Sequence, residues 1–317
     1  MTIARPHLRR RRLIGSALAA AVLFAGTMSA CSPDPSQLQQ VETTALSASQ
    51  VKERISKTPT STDYRSTPVG EDFLHVSAPE LTEEEKAQRD RRDRSGANSS
   101  IVARYRGSDG SVLWAREITP AVVDWLDDDG SSAQDVAHDL LAWRPAGYAV
   151  VSPDGRYVSL VMRPPQMRPV IHDSYEDRNP LDVAAQRTHV LVLDAATGET
   201  VRTVEVSGLV LGQVLTNEDL AVETAKTYYP GGDGNGTVTV YSLTDTSAAP
   251  ASFATDQWLI GIDDGALLLS PQSLAAERRD EMPVTLTRVD TRGRELGTIE
   301  GVTAPDLKHW ERPKQHQ

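Results

Sequence analysis

The sequence predicts an all-β, propeller-like domain of four to five four-stranded antiparallel blades, which follows an export signal and a flexible tether. Short runs rich in β-branched residues recur along the chain, and turn-forming residues such as Asp-Gly and Ser-Pro separate them. One such unit begins at Asn217 and returns 46 positions later at Asp263, a period typical of one propeller blade. Because blades arranged radially bury one another's faces, this repeat favours a ring of blades.

Residues 1–30 have the layout of a bacterial export signal. Arginine fills positions 5 and 9 to 12, an apolar run follows from 13 to 27, and Ser29-Ala30 supplies the small residues of a cleavage site. The apolar run is short for a membrane span. Residues 10–14 also fit a twin-arginine pattern, so the sequence leaves open whether the protein is exported unfolded or folded.

The only cysteine of the chain, Cys31, directly follows this signal. The boundary resembles the lipobox of bacterial lipoproteins, where the thiol is acylated and the cysteine becomes the first residue. This resemblance implies that Cys31 carries palmitate-type chains that hold the protein on the outer face of the cell membrane, since two or three acyl chains give stable anchoring. Plain secretion and an uncleaved signal anchor are the alternatives. The excess of arginine over lysine is associated with actinobacterial genomes.

The charge of the mature chain excludes some classes of partner. Without residues 1–30 the chain loses five arginines and no acidic residue, which leaves 28 basic against 44 acidic side chains and a net charge of −16. A nucleic-acid-binding protein needs the opposite sign, and an anionic membrane surface would repel this one. With a single cysteine, the protein forms no internal disulfide.

Residues 31–68 are predicted to form the lipidated cysteine and a disordered tether. The segment is rich in Ser, Thr, Gln and Pro, and it lacks the apolar pattern that would repay ordering of its backbone. A flexible chain of this length reaches roughly 30 to 40 Å. A short helix from Ser47 to Ile55 is compatible with the sequence.

The propeller-like domain is predicted over residues 69–307, before a C-terminal tail at 308–317. Four units are recognisable, each by two short runs rich in β-branched residues, and the first unit has no convincing inner strand. Residues 120–145 could supply a degenerate fifth blade, although 135–141 have the spacing of a short helix. The alternatives are an open ring and a ring completed by a second copy of the chain. The paired runs of the four units are 73–76 and 101–105, 157–161 and 189–194, 217–222 and 238–243, and 263–269 and 284–290.

The hairpins that close these units resemble those of pyrroloquinoline-quinone-type β-propellers, whose repeat has Asp and Thr-Gly in the turn and tryptophan four residues after the glycine. Asp194 and Thr197-Gly198 supply such a turn, but Arg202 stands at the tryptophan position. Conversely, Trp114 follows Gly110 at the expected spacing, and Gly297 takes that position after Gly293. These glycines permit the positive φ that the turn requires.

The resemblance implies more than one function. Quinoprotein dehydrogenases of this architecture bind the quinone with calcium and commonly carry a vicinal cysteine pair, in much longer chains. Because this chain has neither the cysteine pair nor enough blades, the sequence predicts no cofactor and no enzyme activity of this type. A lipoprotein of the same fold is a scaffold in outer-membrane β-barrel assembly, so the resemblance also implies protein binding.

Two segments contain candidate binding residues. Asp127 and Asp129, in an acidic run ending at Gly130, offer the oxygen ligands that calcium prefers, but the run lacks the spacing of an EF-hand loop, so a solvated acidic turn is the default interpretation. The insertion at 163–187 contains Met167, His172 and Tyr175, a composition that resembles protein interfaces. The histidines are scattered without metal-ligand spacing, and no catalytic motif emerges.

The sequence therefore predicts a membrane-anchored extracytoplasmic lipoprotein whose propeller-like domain binds an envelope protein or acts as a scaffold. The first alternative is a non-catalytic sensor of a small ligand or calcium, and the second is an enzyme with an unrecognised site. The expected partners are the lipid bilayer, through acylated Cys31, and a protein of the envelope. A homodimer would complete an open ring.

Overall fold

The computed structural model describes residues 38–63, 65–80, 98–123, 149–164, 181–182, 184–228, 236–271 and 283–303. These residues form four antiparallel sheets, a separate pair of short strands and one helix, which confirms the all-β prediction. Each sheet is one blade, and its strands follow one another in the chain from the inner to the outer edge. The exception is blade 1, where a fifth strand from the N-terminal segment joins the outer edge.

The strands are numbered along the chain. Blade 1 contains β1 (Glu42–Ala45), β2 (Ser66–Val69), β3 (Asp72–Ser77), β4 (Ser100–Tyr105) and β5 (Val112–Thr119). Blade 2 contains β6 (Val150–Val151), β7 (Tyr157–Val161), β9 (Arg187–Asp194) and β10 (Thr200–Ser207). Blade 3 contains β11 (Leu209–Leu215), β12 (Asp219–Ala225), β14 (Gly236–Ser242) and β15 (Ala251–Thr255). Blade 4 contains β16 (Trp258–Asp263), β17 (Ala266–Ser270), β18 (Val284–Val289) and β19 (Glu295–Val302). The short strands β8 (Leu181–Asp182) and β13 (Thr227–Tyr228) pair with each other between blades 2 and 3.

The four predicted units are confirmed, and their paired runs correspond to the second and third strands of the four blades. The prediction that the first unit lacks an inner strand is wrong, because β2 pairs with β3 from Ser66 to Val69. This strand has only four residues and includes Pro68, so it carries almost none of the alternating pattern that identifies longer strands.

The prediction of a disordered tether reaching residue 68 is also wrong. β1 pairs with β5 over four residues, and the helix α1 (Ala48–Arg54) follows it. The short helix compatible with the sequence is present, and Ser47 and Gln50 form a capping box at its start. Tertiary contacts order this polar segment, because β1 hydrogen-bonds to a sheet edge and α1 buries Val51. No helix within the described ranges has the length and apolar character needed to cross a membrane.

Apolar layers fill the spaces between successive blades, as the alternation of each strand requires. The first blade also has a covered outer face, where Val51 of α1 packs with Phe73, Tyr105 and Ala115. The layer between blades 1 and 2 includes Leu74, Val76, Leu160 and Leu191. The layer between blades 2 and 3 includes Tyr157, Val192, Leu220 and Val222, and that between blades 3 and 4 includes Ala221, Val240, Leu259 and Leu267.

A side chain from the outer strand of each of the first three blades contacts the closing turn of the next blade. Trp114 of blade 1 lies against Gly198 of blade 2, and its Nε1 donates a hydrogen bond of 2.9 Å to the carbonyl oxygen of Ala195. In that turn Asp194 Oδ1 accepts bonds of 2.9 Å from the backbone amides of Ala196 and Thr197. The turn motif thus has a structural role as the contact surface between two blades.

The same contact is made with different chemistry between the later blades. The guanidinium of Arg202 donates to the carbonyl oxygen of Ser242 in blade 3 and lies 5.5 Å from the ring centre of Tyr241. Phe253 lies against Gly293 of blade 4, where a Cβ would come within 2.5 Å of its ring. Arginine and phenylalanine therefore replace the tryptophan that the repeat has in blade 1.

Candidate functional site: the loop end of the blades

The strand order makes the long connections within and between the four-stranded blades begin and end at one end of the domain. Within a blade, the turn joining the first and second strands and the turn joining the third and fourth lie at the same end, here called the turn end. The opposite end, here called the loop end, receives the connections between the second and third strands and those between blades. Apart from residues 46–65, which contain α1 and join β1 to β2, the five longest connections begin and end at the loop end and comprise residues 78–99, 120–149, 162–186, 226–235 and 271–283.

The turn end is built from tight hairpin turns. Asp290 Oδ1 accepts bonds of 2.9 and 3.0 Å from the backbone amides of Arg292 and Arg294, and Asp109 and Asp245 make similar bonds in blades 1 and 3. The side chains and amides of Ser111 and Ser247 hold the pKa of Asp109 and of Asp245 below its usual range, and the amides of Arg294 and Arg292 do the same for Asp290. Ionised side chains that are already bonded to their own turns are poorly placed to bind a ligand. The loop end is therefore the better candidate for a binding surface.

The chain enters the domain at the loop end. Glu42, the first residue of β1, pairs with Thr119, the last residue of β5. Before it, the backbone of Gln39 forms a hydrogen bond with the His189 side chain of blade 2, and its side-chain oxygen accepts a bond of 3.3 Å from Asn98 of blade 1. Residues 39 to 42 therefore lie across blades 1 and 2, where their connections begin.

A buried carboxyl group lies between blades 3 and 4, close to the loop end. Glu223 of β12 is fully buried, and its Oε2 accepts a hydrogen bond of 2.8 Å from the backbone amide of Leu259 in β16. Its Oε1 has no hydrogen-bond partner among the described residues. Glycine leaves room for the carboxyl group, because a Cβ on Gly236 would lie 2.5 Å from Oε1.

Burial raises the pKa of Glu223 to about 7, and the single hydrogen bond from Leu259 opposes this only in part. The group can therefore hold or release a proton near neutral pH. A protonated carboxyl donates one hydrogen bond, whereas the ionised form only accepts. Glu223 is consequently a polar group with unused bonding capacity inside an otherwise apolar layer.

Two further polar side chains are fully buried between blades 2 and 3. Gln213 of β11 and Ser159 of β7 lie on strands that contact each other, and neither side chain has a hydrogen-bond partner among the described residues. Buried polar groups normally have partners, and ordered water is the usual one when protein atoms do not supply it. Sequence reasoning missed Glu223, Gln213 and Ser159, because a polar residue in an alternating strand is indistinguishable from one that faces solvent.

The rim of the loop end carries paired charges. Arg54 of α1 contacts Glu117 of β5 at 3.1 Å, and Ser99 donates a bond of 2.8 Å to the same carboxylate. On blade 2 the exposed side chains of Arg187 and Glu205 are 3.2 Å apart. Within the part of the chain that the structure describes, no group of three or more His, Cys, Asp or Glu side chains is placed to hold a metal ion.

The predicted site residues lie outside the described residues. These are Cys31, the metal candidates Asp127 and Asp129, and the partner-binding candidates Met167, His172 and Tyr175. The structure nevertheless fixes the points at which their segments leave the blades. The segment with the aspartates follows Val123, and the one with the partner-binding candidates follows Pro164, so both begin at the loop end.

The comparisons with known proteins concern the fold alone. No protein-family model and no curated protein matches the sequence. Among solved structures, the chain is similar to BamB from Moraxella catarrhalis, with a TM-score of 0.37, 14% identity, and coverage of 83% of this chain and 52% of that one.

Two other solved structures are similar to the chain over part of their length. The comparison with a europium-containing methanol dehydrogenase gives a TM-score of 0.33 at 9% identity. It covers 82% of this chain and 46% of the dehydrogenase chain. The β-propeller domain of the trilobed protease from Pyrococcus furiosus gives 0.30 at 9% identity, with coverage of 73% and 69%. The chain thus spans about half the length of the first two structures.

Proposed function

We propose that the protein is a lipid-anchored adaptor of the cell envelope, and that the loop end of its propeller-like domain binds another envelope protein. One observation carries this proposal: apart from the segment 46–65 with α1, the five longest connections begin and end at the loop end, whereas the turn end consists of short, internally bonded turns. Binding residues are found disproportionately on loops that a rigid scaffold positions. The insertion with Met167, His172 and Tyr175 leaves blade 2 at this end, after Pro164.

The membrane attachment in this proposal rests on Cys31 and the signal before it. Replacing Cys31 with serine is expected to release the protein into the medium or to leave its precursor uncleaved. Metabolic labelling with a palmitate analogue tests this directly. If the label persisted in Cys31→Ser, the lipid would be attached elsewhere and the assignment of the anchor would be wrong.

Partner binding is tested by cross-linking and affinity capture from intact cells. The test variant replaces residues 165–180 with a short Gly-Ser linker, and the matched control shortens the turn-end connection 243–250 of blade 3. We expect one envelope protein to be captured by the wild type and by the control, but not by the test variant. Equal capture by both variants, or by neither, would refute a binding site at the loop end.

A second candidate function is a sensor of a small ligand, and the free Oε1 of Glu223 favours it. A ligand that binds only the folded state raises the melting temperature in proportion to its concentration and affinity. A screen of calcium and small polar metabolites with the purified domain tests this function. A ligand whose stabilising effect is absent in Glu223→Gln would support the sensor, whereas an equal effect in that variant would place the ligand elsewhere.

A further inference from the structure

We propose that the closing turn of blade 1 is a second interaction surface, which receives a tryptophan side chain presented by another protein. This turn joins β4 to β5 at the turn end of the domain. The inference goes beyond the proposed function, since it depends neither on the lipid anchor nor on the loop end. It is carried by the likeness of this turn to the closing turn of blade 2, which already holds the indole ring of Trp114.

The two closing turns, at residues 106–111 and 194–199, have the same backbone geometry. The amide of the glycine in each turn, Gly110 or Gly198, donates a hydrogen bond of 2.8 Å to the carbonyl oxygen four residues earlier. The amide of the first residue of each turn donates a bond of 2.8 Å to the carbonyl oxygen of the residue after the glycine. Both glycines have φ of +68°. The backbone surface that contacts the tryptophan in blade 2 is therefore present in blade 1 as well.

This surface is covered in blade 2 and exposed in blade 1. The indole ring of Trp114 lies over Gly198, and its Nε1 donates a bond of 2.9 Å to the carbonyl oxygen of Ala195, which is fully buried. In blade 1, no atom of the described residues lies within 4 Å of the Cβ position of Gly110. Gly107, which corresponds to Ala195, is exposed, and no described residue donates a hydrogen bond to its carbonyl oxygen. Blade 1 thus exposes the glycine and the carbonyl group that bind an indole in blade 2.

The contact that joins successive blades does not cover this turn. In the first three blades a side chain of the outer strand contacts the closing turn of the next blade, and these side chains are Trp114, Arg202 and Phe253. The corresponding residue of blade 4 is Gly297, which has no side chain to offer. Among the described residues, the apolar cluster on the outer face of blade 1 includes only blade 1 and residues 46–55. Blade 4 therefore does not supply the side chain that this turn would receive.

The occupied contact in blade 2 indicates the chemistry of the partner. Tryptophan combines a flat apolar ring, which lies over the glycine, with one N–H donor for the carbonyl group, and it is enriched at the centres of protein interfaces. Leu113 adds apolar surface close to Gly110, because its side chain is 39% exposed. The exposed side chains of Arg106 and Asp109 lie 3.7 Å apart, so their charges largely cancel and the contact does not require a charged partner. The partner is therefore a protein with an exposed tryptophan on an extended segment, as β5 presents Trp114.

The surface is tested with N-acetyl-tryptophanamide, added to the full-length protein that carries isotope-labelled glycine. We expect saturable shifts of the amide signals of Gly107 and Gly110, with a dissociation constant on the order of 1 mM because a single side chain makes the contact. The signal of Gly198 should not respond, since Trp114 covers it. In Trp114→Ala the ring is absent, so Gly198 should then respond as well, which provides the positive control. N-acetyl-leucinamide, which has neither an aromatic ring nor the indole N–H, is the negative control.

Two variants separate the contact from general effects on folding. Gly110→Ala should weaken binding of the probe, followed at Gly107, by about tenfold or more. The reason is that its Cβ would meet the ring, as a Cβ at Gly198 would meet Trp114 at 2.5 Å. Gly155→Ala is the matched control, because Gly155 has φ of +71° and open space around its Cβ position; it should leave binding unchanged. The absence of a shift at Gly110 in the wild type, or equal binding by the two variants, would overturn the proposed surface.

The partner is tested with photo-cross-linkers in intact cells. The matched positions are Ser108 and Ala196, which are both exposed and occupy the same place in the two turns. We expect a protein to be cross-linked from position 108 through a peptide that contains tryptophan, but not from position 196, and the cross-link should be lost in Gly110→Ala. A cross-linked peptide without tryptophan, equal cross-linking from both positions, or none from position 108 would overturn the proposal. Cross-linking to a second copy of this chain, or within the chain to the segment around Trp310, would equally overturn a separate partner.

Discussion

The contact between Trp114 and Gly198 predicts a specific energetic coupling between blades 1 and 2. Gly198 has φ of +68°, and a Cβ at this position would lie 2.5 Å from Cε3 of Trp114. Gly198→Ala therefore introduces two separate penalties. The left-handed backbone conformation destabilises an alanine by about 1 kcal/mol. Displacing the indole ring costs a further ~1–3 kcal/mol.

The chain provides a matched control for the first penalty. Gly155 has nearly the same φ, +71°, and no atom lies within 4 Å of the position of its Cβ. Gly155→Ala should therefore lower the free energy of unfolding by only about 1 kcal/mol. Gly198→Ala should lower it by about 2–4 kcal/mol, the sum of the backbone and packing penalties.

A double-mutant cycle separates the two penalties. In a Trp114→Ala background the ring is absent, so Gly198→Ala should cost only about 1 kcal/mol more, the backbone penalty. The assay is denaturant unfolding of the purified protein, with midpoint and slope measured for each variant. If Gly198→Ala and Gly155→Ala were equally destabilising, or if the cycle showed no coupling, the contact between these blades would not have the role assigned to it.

Three further predictions concern buried charged and titratable groups. Burial raises the pKa of Glu223 from 4.5 to about 7, so between these values the folded protein keeps a proton that the unfolded chain has released. The free energy of unfolding therefore falls by roughly 3 kcal/mol as the pH rises through this window. Glu223→Gln should abolish this fall in melting experiments from pH 4.5 to 8. Burial lowers the pKa of His75 to about 4, so the stability that the neutral side chain contributes is complete above pH 6.5 and is lost as the pH falls towards 4. His75→Gln should therefore lose less stability over that range than the wild type. An equal loss in both proteins would contradict this role of His75. Arg104→Ala removes an ion pair of 2.7 Å with Asp72 and a hydrogen bond to blade 2, and should lower the free energy of unfolding by about 1.5–3 kcal/mol. Arg187→Ala removes an exposed ion pair and should lower it by less than about 1 kcal/mol. Equal losses in denaturant unfolding would contradict this difference.

The repeat was predictable from sequence because the central strands of each blade are long and alternate regularly. Their inner and outer neighbours were harder to identify. β6 has only two residues, and β2 has four with a proline among them. Strands this short take their conformation from hydrogen bonds to a longer neighbour. The same reason explains β1, whose four residues are ordered by the edge of β5 although they resemble a linker.

The candidate site was predictable only in part. The position of the insertions follows from the strand order, so loops at one end of the blades could be expected once the repeat was found. Glu223 could not be identified, because its importance comes from Gly236 and from the amide of Leu259, which lie on other strands. The sequence likewise did not show that Phe253 takes the place of tryptophan at the contact between blades 3 and 4. The turn of blade 3 lacks the Asp and Gly residues from which the tryptophan position is counted.

The N-terminal segment makes the domain resemble a capped repeat array. In such arrays a terminal unit has one neighbour only, and an extra element covers the face that would otherwise be exposed. Here α1 covers Phe73, Tyr105 and Ala115, while β1 closes the edge of β5. A shortened chain that begins at residue 69 would lose this cap together with β2, and it would expose an apolar face and an unpaired strand edge, the two features that lead to aggregation. The segment from Glu42 to Arg54 is thus what keeps the outer face and the outer edge of the first blade covered.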